Sequence, residues 1–491
     1  MSPLLPLLLA VSATASARAP AGPGPSVVSL TVTHQAWEPG APWQKAPPAQ
    51  RQGQAVVVDG PKGPRLVTSA SLLANATLVR VQKNGAPTEA IARVATLDRE
   101  ANLAVLAVDE GAFYADLSPV RFARKPVVEG EITLARWRGS QLETANARVA
   151  RATVVDSMTG VLDLLSLRVS TDMANGGAAE AAFRGRDFVG LAVGQLNPEL
   201  AVVPAGTIAS WLRALDAGES RPWAGTLGLG QQAIRSPVFV DWLGLDAPRG
   251  VLITGVPQGS AACGALRRGD VLLSVAGQPL DGEGNVRDPD FGLLYFEALL
   301  ADYRAGDALP VEVLRDGKVL SLSLALRPMT GAHSLIPTDR PEPPGYLVAG
   351  GFVFRELDET TPARSNEARI VSALQRGAQS SDQRRVIVLA AVLADTYNLG
   401  YHGLSDLVVD SVNGRPVDAL EDVKAALEAP ESGYHVVRFR PNVRMAEAVL
   451  DASTFAEASA RIAAAYGITE VWRAPPPPPD LGPACAAPAA P

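Results

Sequence analysis

Between residues 66 and 183 the chain carries side chains from which a nucleophile and its proton acceptor can be assembled: hydroxyls at Ser71, Ser166 and Ser170, carboxylates at Asp98 and Asp172. A serine nucleophile needs a partner that accepts its proton near neutral pH, and in hydrolases built on such hydroxyls that partner is most often imidazole. No histidine occurs between His34 and His333. Without a histidine or an obvious lysine partner, these groups read as turns, caps and strand-face hydroxyls. The two cysteines, Cys263 and Cys485, lie in an apolar stretch and in a Pro/Ala tail. A bond between them stays open at this level, and neither has metal-ligand spacing. No cofactor or metal motif is present.

These groups must be held by several domains, since 491 residues exceed one core of roughly 100–200 residues. Hydrophobic residues make up 47% of the chain and charged residues 19%, a balance that suits packed domains. The net charge of −7 is spread without long runs, which argues against nucleic acid as a partner. At the N-terminus an apolar core over residues 4–11 precedes Ala15, Ser16 and Ala17. This pattern predicts a secretory signal peptide over 1–17, and hence a secreted or periplasmic protein. No later segment approaches the ~18 apolar residues of a transmembrane helix.

Short β-branched or alternating runs at 27–32, 55–58, 78–81, 103–108, 131–135, 162–169 and 188–193 predict an all-β barrel or sandwich domain, closed by a helix over 208–215. Residues 223–328 change pattern. Strands are expected at 250–256, 270–275, 309–315 and 319–326, with a helix near 291–302 and a hairpin turn at Asp316 and Gly317. Residues 331–345 read as a Pro-rich linker. Residues 346–472 echo the middle domain, with strands at 351–356, 385–392, 407–412 and 434–440, helices at 419–427 and 454–465, and a turn at Asn413 and Gly414. The Pro/Ala tail that follows is expected to be a spacer or a disordered end.

In this order the pieces resemble the Deg/HtrA family of serine proteases, in particular its two-PDZ Deg branch, over nearly all of residues 27–472. The stretches that carry the resemblance are Gly53 to Asp59, Leu66 to Leu73, Asp98 to Leu106 and Ser170 to Phe183, followed by Thr226, Leu227, Gly228, Leu229 and the run from Gly250 to Pro279. The resemblance implies a mainly β fold: a chymotrypsin-like double β-barrel followed by two α+β PDZ domains. The domains would be an N-terminal extension (18–26), a trypsin-like domain (27–216), a first PDZ domain (222–329), a divergent second one (340–472) and the tail (473–491).

Carried over residue by residue, the histidine position is Ser71, the aspartate position Asn102 and the nucleophile position Ala179. Alanine offers no nucleophile, and a serine hydroxyl does not accept a proton near neutral pH. The turn that would build the oxyanion hole reads Ala178, Ala179, Glu180, Ala181, Ala182, with a carboxylate where negative charge is unwelcome. The expectation is therefore a pseudoprotease with no catalytic residues. The alternatives are a divergent serine endopeptidase with relocated activity, and a structural subunit of an oligomer. The resemblance implies peptide or unfolded-protein C-termini as partners, held at Thr226, Leu227, Gly228 and Leu229 and, in the second copy, at Ala349, Gly350, Gly351 and Phe352. It also implies a homo-oligomer, with Trp37 and Trp43 either as its contacts or as core residues before the barrel, and a second PDZ domain that serves intramolecular contacts or assembly.

Overall fold

The computed structural model describes residues 23–83, 86, 88–156, 162–196, 198–219, 223, 225–338, 342–358, 383–441, 445–482 and 484–485. The leader expected over 1–17 lies outside the described residues. Six antiparallel strands, Val27–His34, Ala49–Val58, Arg65–Thr68, Ala76–Lys83, Glu89–Asp98 and Leu103–Val108, close into a first barrel. Alternation selects the inward set: Val28, Leu30, Val32, Val57, Leu66, Val81 and Leu106 fill its interior. Strands Gly130–Arg138, Gln141–Asp156, Asp163–Thr171, Glu180–Arg184, Asp187–Leu196 and Glu199–Pro204 form a second barrel. Glu180–Arg184 closes it by pairing with both Gly130–Arg138 and Asp187–Leu196. A third core joins the barrels, with Val56, Val67, Leu103 and Val105 meeting Ala135, Leu164, Leu191 and Val203.

Helix Ala205–Asp216 seals this joint with Ile208 and Trp211, both fully buried. Its position is fixed by Asp98. One carboxylate oxygen, Oδ2, accepts the indole N–H of Trp211 at 2.8 Å and that of Trp223 at 2.9 Å, and Oδ1 accepts the amide of Ala101 at 2.9 Å. Thus Asp98 ties together the first barrel, the helix and the start of the middle domain.

The middle domain is a sheet in the order Gly230–Ala233, Val251–Gly255, Val271–Val275, Ala308–Arg315, Lys318–Ala325. The turn at Asp316 and Gly317 has φ of 51° and 72°, the left-handed pair of a two-residue hairpin. The helix expected near 291–302 is shorter than predicted and follows a hairpin, Asn285–Asp288 with Gly292–Tyr295, before a 3₁₀ helix Phe296–Asp302. The Asp288 carboxylate accepts the amides of Asp290 and Phe291, and Gly292 adopts φ 78°, so local turn chemistry overrides the helical period.

The C-terminal sheet runs Glu447–Asp451, Tyr434–Phe439, Leu407–Val412, Ile387–Val392, Phe352–Glu356, Tyr346–Ala349, Trp472–Arg473. Helices Leu420–Ala426 and Phe455–Ala465 lie where the apolar period places them.

Two expectations change, and for Trp37 and Trp43 the structure shows packing within the chain. Residues 331–338 do not behave as a loose linker, because Leu335 and Ile336 are buried against Leu357, Val386 and Val388, and the amide of Gly331 donates to Glu100 at 2.6 Å. The tail returns to the middle domain, where Cys485 is disulfide-bonded to Cys263 across 222 residues of chain and Gln258 donates to the carbonyl of Gly482 at 2.9 Å. An extended Pro-rich chain needs no core of its own once it is tied at both ends. Trp37 and Trp43 belong to an unforeseen hairpin, Trp37–Glu38 with Ala41–Lys45, which meets the C-terminal domain of the same chain. Trp43 lies 5.8 Å from the ring of Tyr346, and the Arg473 guanidinium stacks over Trp37 and Tyr346 at 5.5 and 5.0 Å. Both tryptophans thus have an intramolecular role.

Candidate functional site

The fold brings Ser71 and Asn102 into direct contact where the barrels meet. Ser71 lies on the 3₁₀ turn Ala70–Leu73 after the strand Arg65–Thr68, and Asn102 on the turn before Leu103–Val108. The backbone N–H of Ser71 donates to Asn102 Oδ1 at 2.9 Å, and the buried hydroxyl of Ser69 donates to the same oxygen at 2.8 Å. Ser69 and Ser71 hydroxyls are 2.7 Å apart, and the Asn102 amide donates to the carbonyl of Val193 at 3.5 Å. The result is a hydroxyl–hydroxyl–amide chain. It can relay a hydrogen bond, but it contains no group that takes up a proton near neutral pH. Ser69 is a member that motif reading passes over, although it stands two residues before Ser71.

The four histidines are engaged elsewhere. His34 Nδ1 faces the carbonyl of Ala49 at 2.9 Å, His333 Nδ1 accepts the amide of Thr330 at 3.1 Å, His402 contacts the side chain of Asn398 at 3.0 Å, and His435 accepts from Asn413 at 3.1 Å.

Ala179 sits in a tight turn packed into the core that joins the barrels, with Leu72 and Ala101. It is fully buried and adopts φ 67°, a left-handed conformation that costs an L-residue about 1–2 kcal/mol. Its amide donates to the carbonyl of Ala192 at 2.7 Å. The turn abuts the first barrel: Ala178 accepts the amide of Gln54 at 2.9 Å, and a Cβ added at Gly53 would meet the Ala178 carbonyl oxygen at 3.0 Å.

Glu180 gives this turn its chemistry. Its carboxylate, only 1% exposed, accepts the amides of Gly177 and Ala178 at 2.8 and 2.9 Å. Arg136 lies 3.5 Å from its other oxygen and also donates to Glu143 at 2.9 Å. The negative charge anticipated at this turn is therefore neutralised internally, and two amides of the turn are consumed by the protein's own carboxylate.

The middle-domain loop repeats the device. Thr226, Leu227 and Leu229 are buried and Gly228 adopts φ 58°. The amide of Leu227 donates to both oxygens of Glu297, at 3.2 and 3.4 Å, and that of Gly228 to the hydroxyl of Thr226 at 2.9 Å. Glu297 belongs to the 3₁₀ helix Phe296–Asp302 and is 3% exposed. Seventy residues separate it from the loop, so no local spacing announces it.

In the C-terminal domain, Ala349, Gly350, Gly351 and Phe352 form a buried two-residue hairpin turn with φ of 58° and 82° at the glycines. The amide of Gly350 donates to the Ser459 hydroxyl at 2.8 Å and its carbonyl accepts from Asn398 at 3.1 Å. A Cβ at Gly350 would meet Phe455 at 2.9 Å. Helix Phe455–Ala465 thus covers this turn, and it presents no open carboxylate cradle. Among the described residues no cluster of His, Cys, Asp or Glu could hold a metal ion, and no helix is long and apolar enough to cross a membrane.

Comparison with known proteins places this geometry in context. Residues 337–472 match the PDZ domain family. Protease Do-like 2, chloroplastic, of Arabidopsis thaliana is 25% identical over 458 residues, spanning 90% of this chain and 74% of that protein. Protease Do-like 4, mitochondrial, of the same plant is 23% identical over 395 residues, spanning 79% of this chain and 73% of its own length. The solved structure of the HtrA-type protease AlgW, in a variant with a decapeptide, superimposes with a TM-score of 0.50 at 19% identity, covering 65% of this chain and 97% of that one. At that identity the likeness is one of fold.

Proposed function

This chain is a relative of the Deg/HtrA proteases, with their trypsin-like double barrel and PDZ architecture, and on that premise we propose that it is a non-cutting member which binds peptide segments through its middle domain. The carrying observation is the buried Glu180 carboxylate on the amides of Gly177 and Ala178, beside an alanine at position 179. An oxyanion developing there would find the amides of Gly177 and Ala178 already bonded to a carboxylate and not free to donate. Ser71 and Asn102 add hydroxyl and amide groups but no general base.

The middle domain supports the binding half of the proposal. Its sheet has an edge strand, Gly230–Ala233, to which an extended peptide can add. The Leu227 amide at the head of that strand already holds a carboxylate, that of Glu297. The chemistry of the loop is thus suited to carboxylates, and a peptide C-terminus would compete with Glu297 for it. The leader-like residues 1–17 and the Cys263–Cys485 bond support export to an oxidising compartment, where clients would be envelope or secreted proteins.

A second reading, a structural subunit of an oligomer, is favoured by the Ser459 hydroxyl and helix Phe455–Ala465 on the C-terminal hairpin and by Glu297 in the middle-domain loop, since both leave assembly as the use of these domains. Two measurements test the proposal. Purified protein should leave an unfolded substrate such as casein intact, and calorimetric titration with a C-terminal peptide library should detect binders. Degradation of casein that a substitution at Ser71 abolishes would overturn the first half. A folded protein that binds no peptide would overturn the second and leave the structural reading.

A further inference from the structure

A cavity of about 550 Å³ opens between the second barrel and the middle domain. Asn102 forms part of its wall, Leu164 and Val203 contribute apolar surface, and Tyr295 closes it from the middle-domain side. The volume falls in the range of small-molecule sites, and the mixture of apolar walls with a few polar groups is typical of them.

Two of its polar groups lack partners among the described residues. Ser166 is 4% exposed, lines the cavity, and its hydroxyl makes no hydrogen bond among the described residues. Arg168, on the same strand and, by the two-residue period, the same face, also lines the cavity with a buried Nε–H that has no acceptor among the described residues. A buried unpaired hydroxyl or guanidinium N–H is costly, about 1–3 kcal/mol each, so such pairs persist where a ligand or water supplies the acceptor. Both groups are donors, one of them charged. The acid Asp163, which also lines the cavity, is engaged with partners of its own. Flanking Arg151, paired across the sheet with Arg168, is neutralised by Glu199 at 3.1 Å, so it does not compete for the same acceptor.

We propose that this cavity binds a carboxylate carried on a short aliphatic body, its oxygens accepting from Ser166 and Arg168 and its chain lying against Leu164 and Val203. The carboxylate is preferred because two donors on one strand face match its two oxygens, and the apolar walls supply the rest of the contact. A free medium-chain fatty acid and the C-terminal aliphatic residue of a peptide share this chemistry. The site is separate from the middle-domain loop, so it stands or falls independently of peptide binding there.

The test is calorimetric titration of the full chain with sodium octanoate, with octan-1-ol, and with acetyl-Ala-Ala-Leu in its free-acid and amidated forms. The expected result is saturable one-to-one binding of octanoate or of the free-acid tripeptide, and whichever binds identifies the source. R168Q should weaken that binding about tenfold or more, the loss of one charge-assisted hydrogen bond. S166A should weaken it in the same direction, while octan-1-ol binding changes by less than about twofold in both, since no carboxylate contact is lost. Thermal melts establish that each variant is folded, and S166A, the smaller change, carries the test where R168Q does not fold. The proposal is overturned if neither carboxylate binds folded protein, if octan-1-ol binds as tightly as octanoate, or if the carboxylate signal survives the substitutions.

Discussion

Glu297 lends itself to a decisive perturbation. Its carboxylate accepts the Leu227 amide at 3.2 and 3.4 Å, in the loop that would receive a peptide's terminal carboxylate. A ligand must displace it and then share a buried pocket with a like charge. The hydrogen bond to be broken is charge-assisted, about 1.5–3 kcal/mol. Removing this competitor should tighten peptide binding by roughly 10- to 100-fold, at about 1.4 kcal/mol per decade. The substitution E297A also leaves the Leu227 amide without its acceptor in the free protein, an expected loss of about 1–3 kcal/mol in stability. E297Q keeps the shape and an acceptor oxygen but removes the charge, and should fall between parent and E297A. The assay is fluorescence anisotropy with a labelled peptide ending in an apolar residue, alongside the same peptide amidated at its C-terminus. Tightening confined to the free-acid peptide is the expected result. A folded E297A protein that binds no more tightly than the parent, or that gains equally for the amidated peptide, would refute the assignment of this loop as a carboxylate site held by Glu297.

Other consequences can be checked directly. A179S alone should leave casein degradation at background, because Ser71 and Asn102 supply no base; measurable cleavage would contradict the proposed absence of catalysis. E180Q should destabilise the protein by about 3 kcal/mol in a urea titration, since Arg136 and the turn amides lose a buried anionic partner; a shift below about 0.5 kcal/mol would show the pair to be dispensable. Thiol titration of unfolded protein should find no reactive thiols before reduction and two after it, given the Cys263–Cys485 bond; free thiols in the unreduced protein would contradict it. His435 is buried against Phe455 and burial holds its pKa below the ordinary imidazole value, so as pH falls the unfolded chain takes up a proton, near pH ~6.5, before the folded one does. Stability from this group is therefore full above that pH and declines as pH falls through it. The melting temperature should drop between pH 7.5 and 5.5, and H435Q should remove part of that drop; an identical drop in the variant would assign it to other groups.

Seven of the twelve barrel strands are legible because alternation and β-branched runs write themselves locally, as at Val28, Leu30 and Val32 or at 103–108, whereas Arg65–Thr68, Glu89–Asp98, Gln141–Asp156, Glu180–Arg184 and Glu199–Pro204 are set only by pairing with their neighbours in the barrels. The turns at Asp316 and Asn413 were legible for the same reason: a two-residue hairpin with left-handed backbone restricts its residue types strongly. Where turn chemistry competed with periodicity, as at Asp288 and Gly292, the sequence reading favoured helix and the backbone chose a hairpin. The hairpin that carries Trp37 and Trp43 was not foreseen, because two aromatics near a barrel look alike whether they pack within a chain or between chains.

The absence of histidine between His34 and His333, and the residues at positions 71, 102 and 179, are properties of the sequence alone, and they bound what chemistry any fold of this chain can do. What occupies the space is a matter of tertiary structure. Glu180 reaches back over two residues, but Glu297 reaches a loop seventy residues away, Cys485 closes onto Cys263 over 222, and Ser166 and Arg168 face a cavity whose far wall is another domain. Residue type and spacing encode local backbone preferences, which act over a few residues. Which buried donor meets which acceptor depends on how separate sheets are packed, and that is decided only when the whole chain has folded.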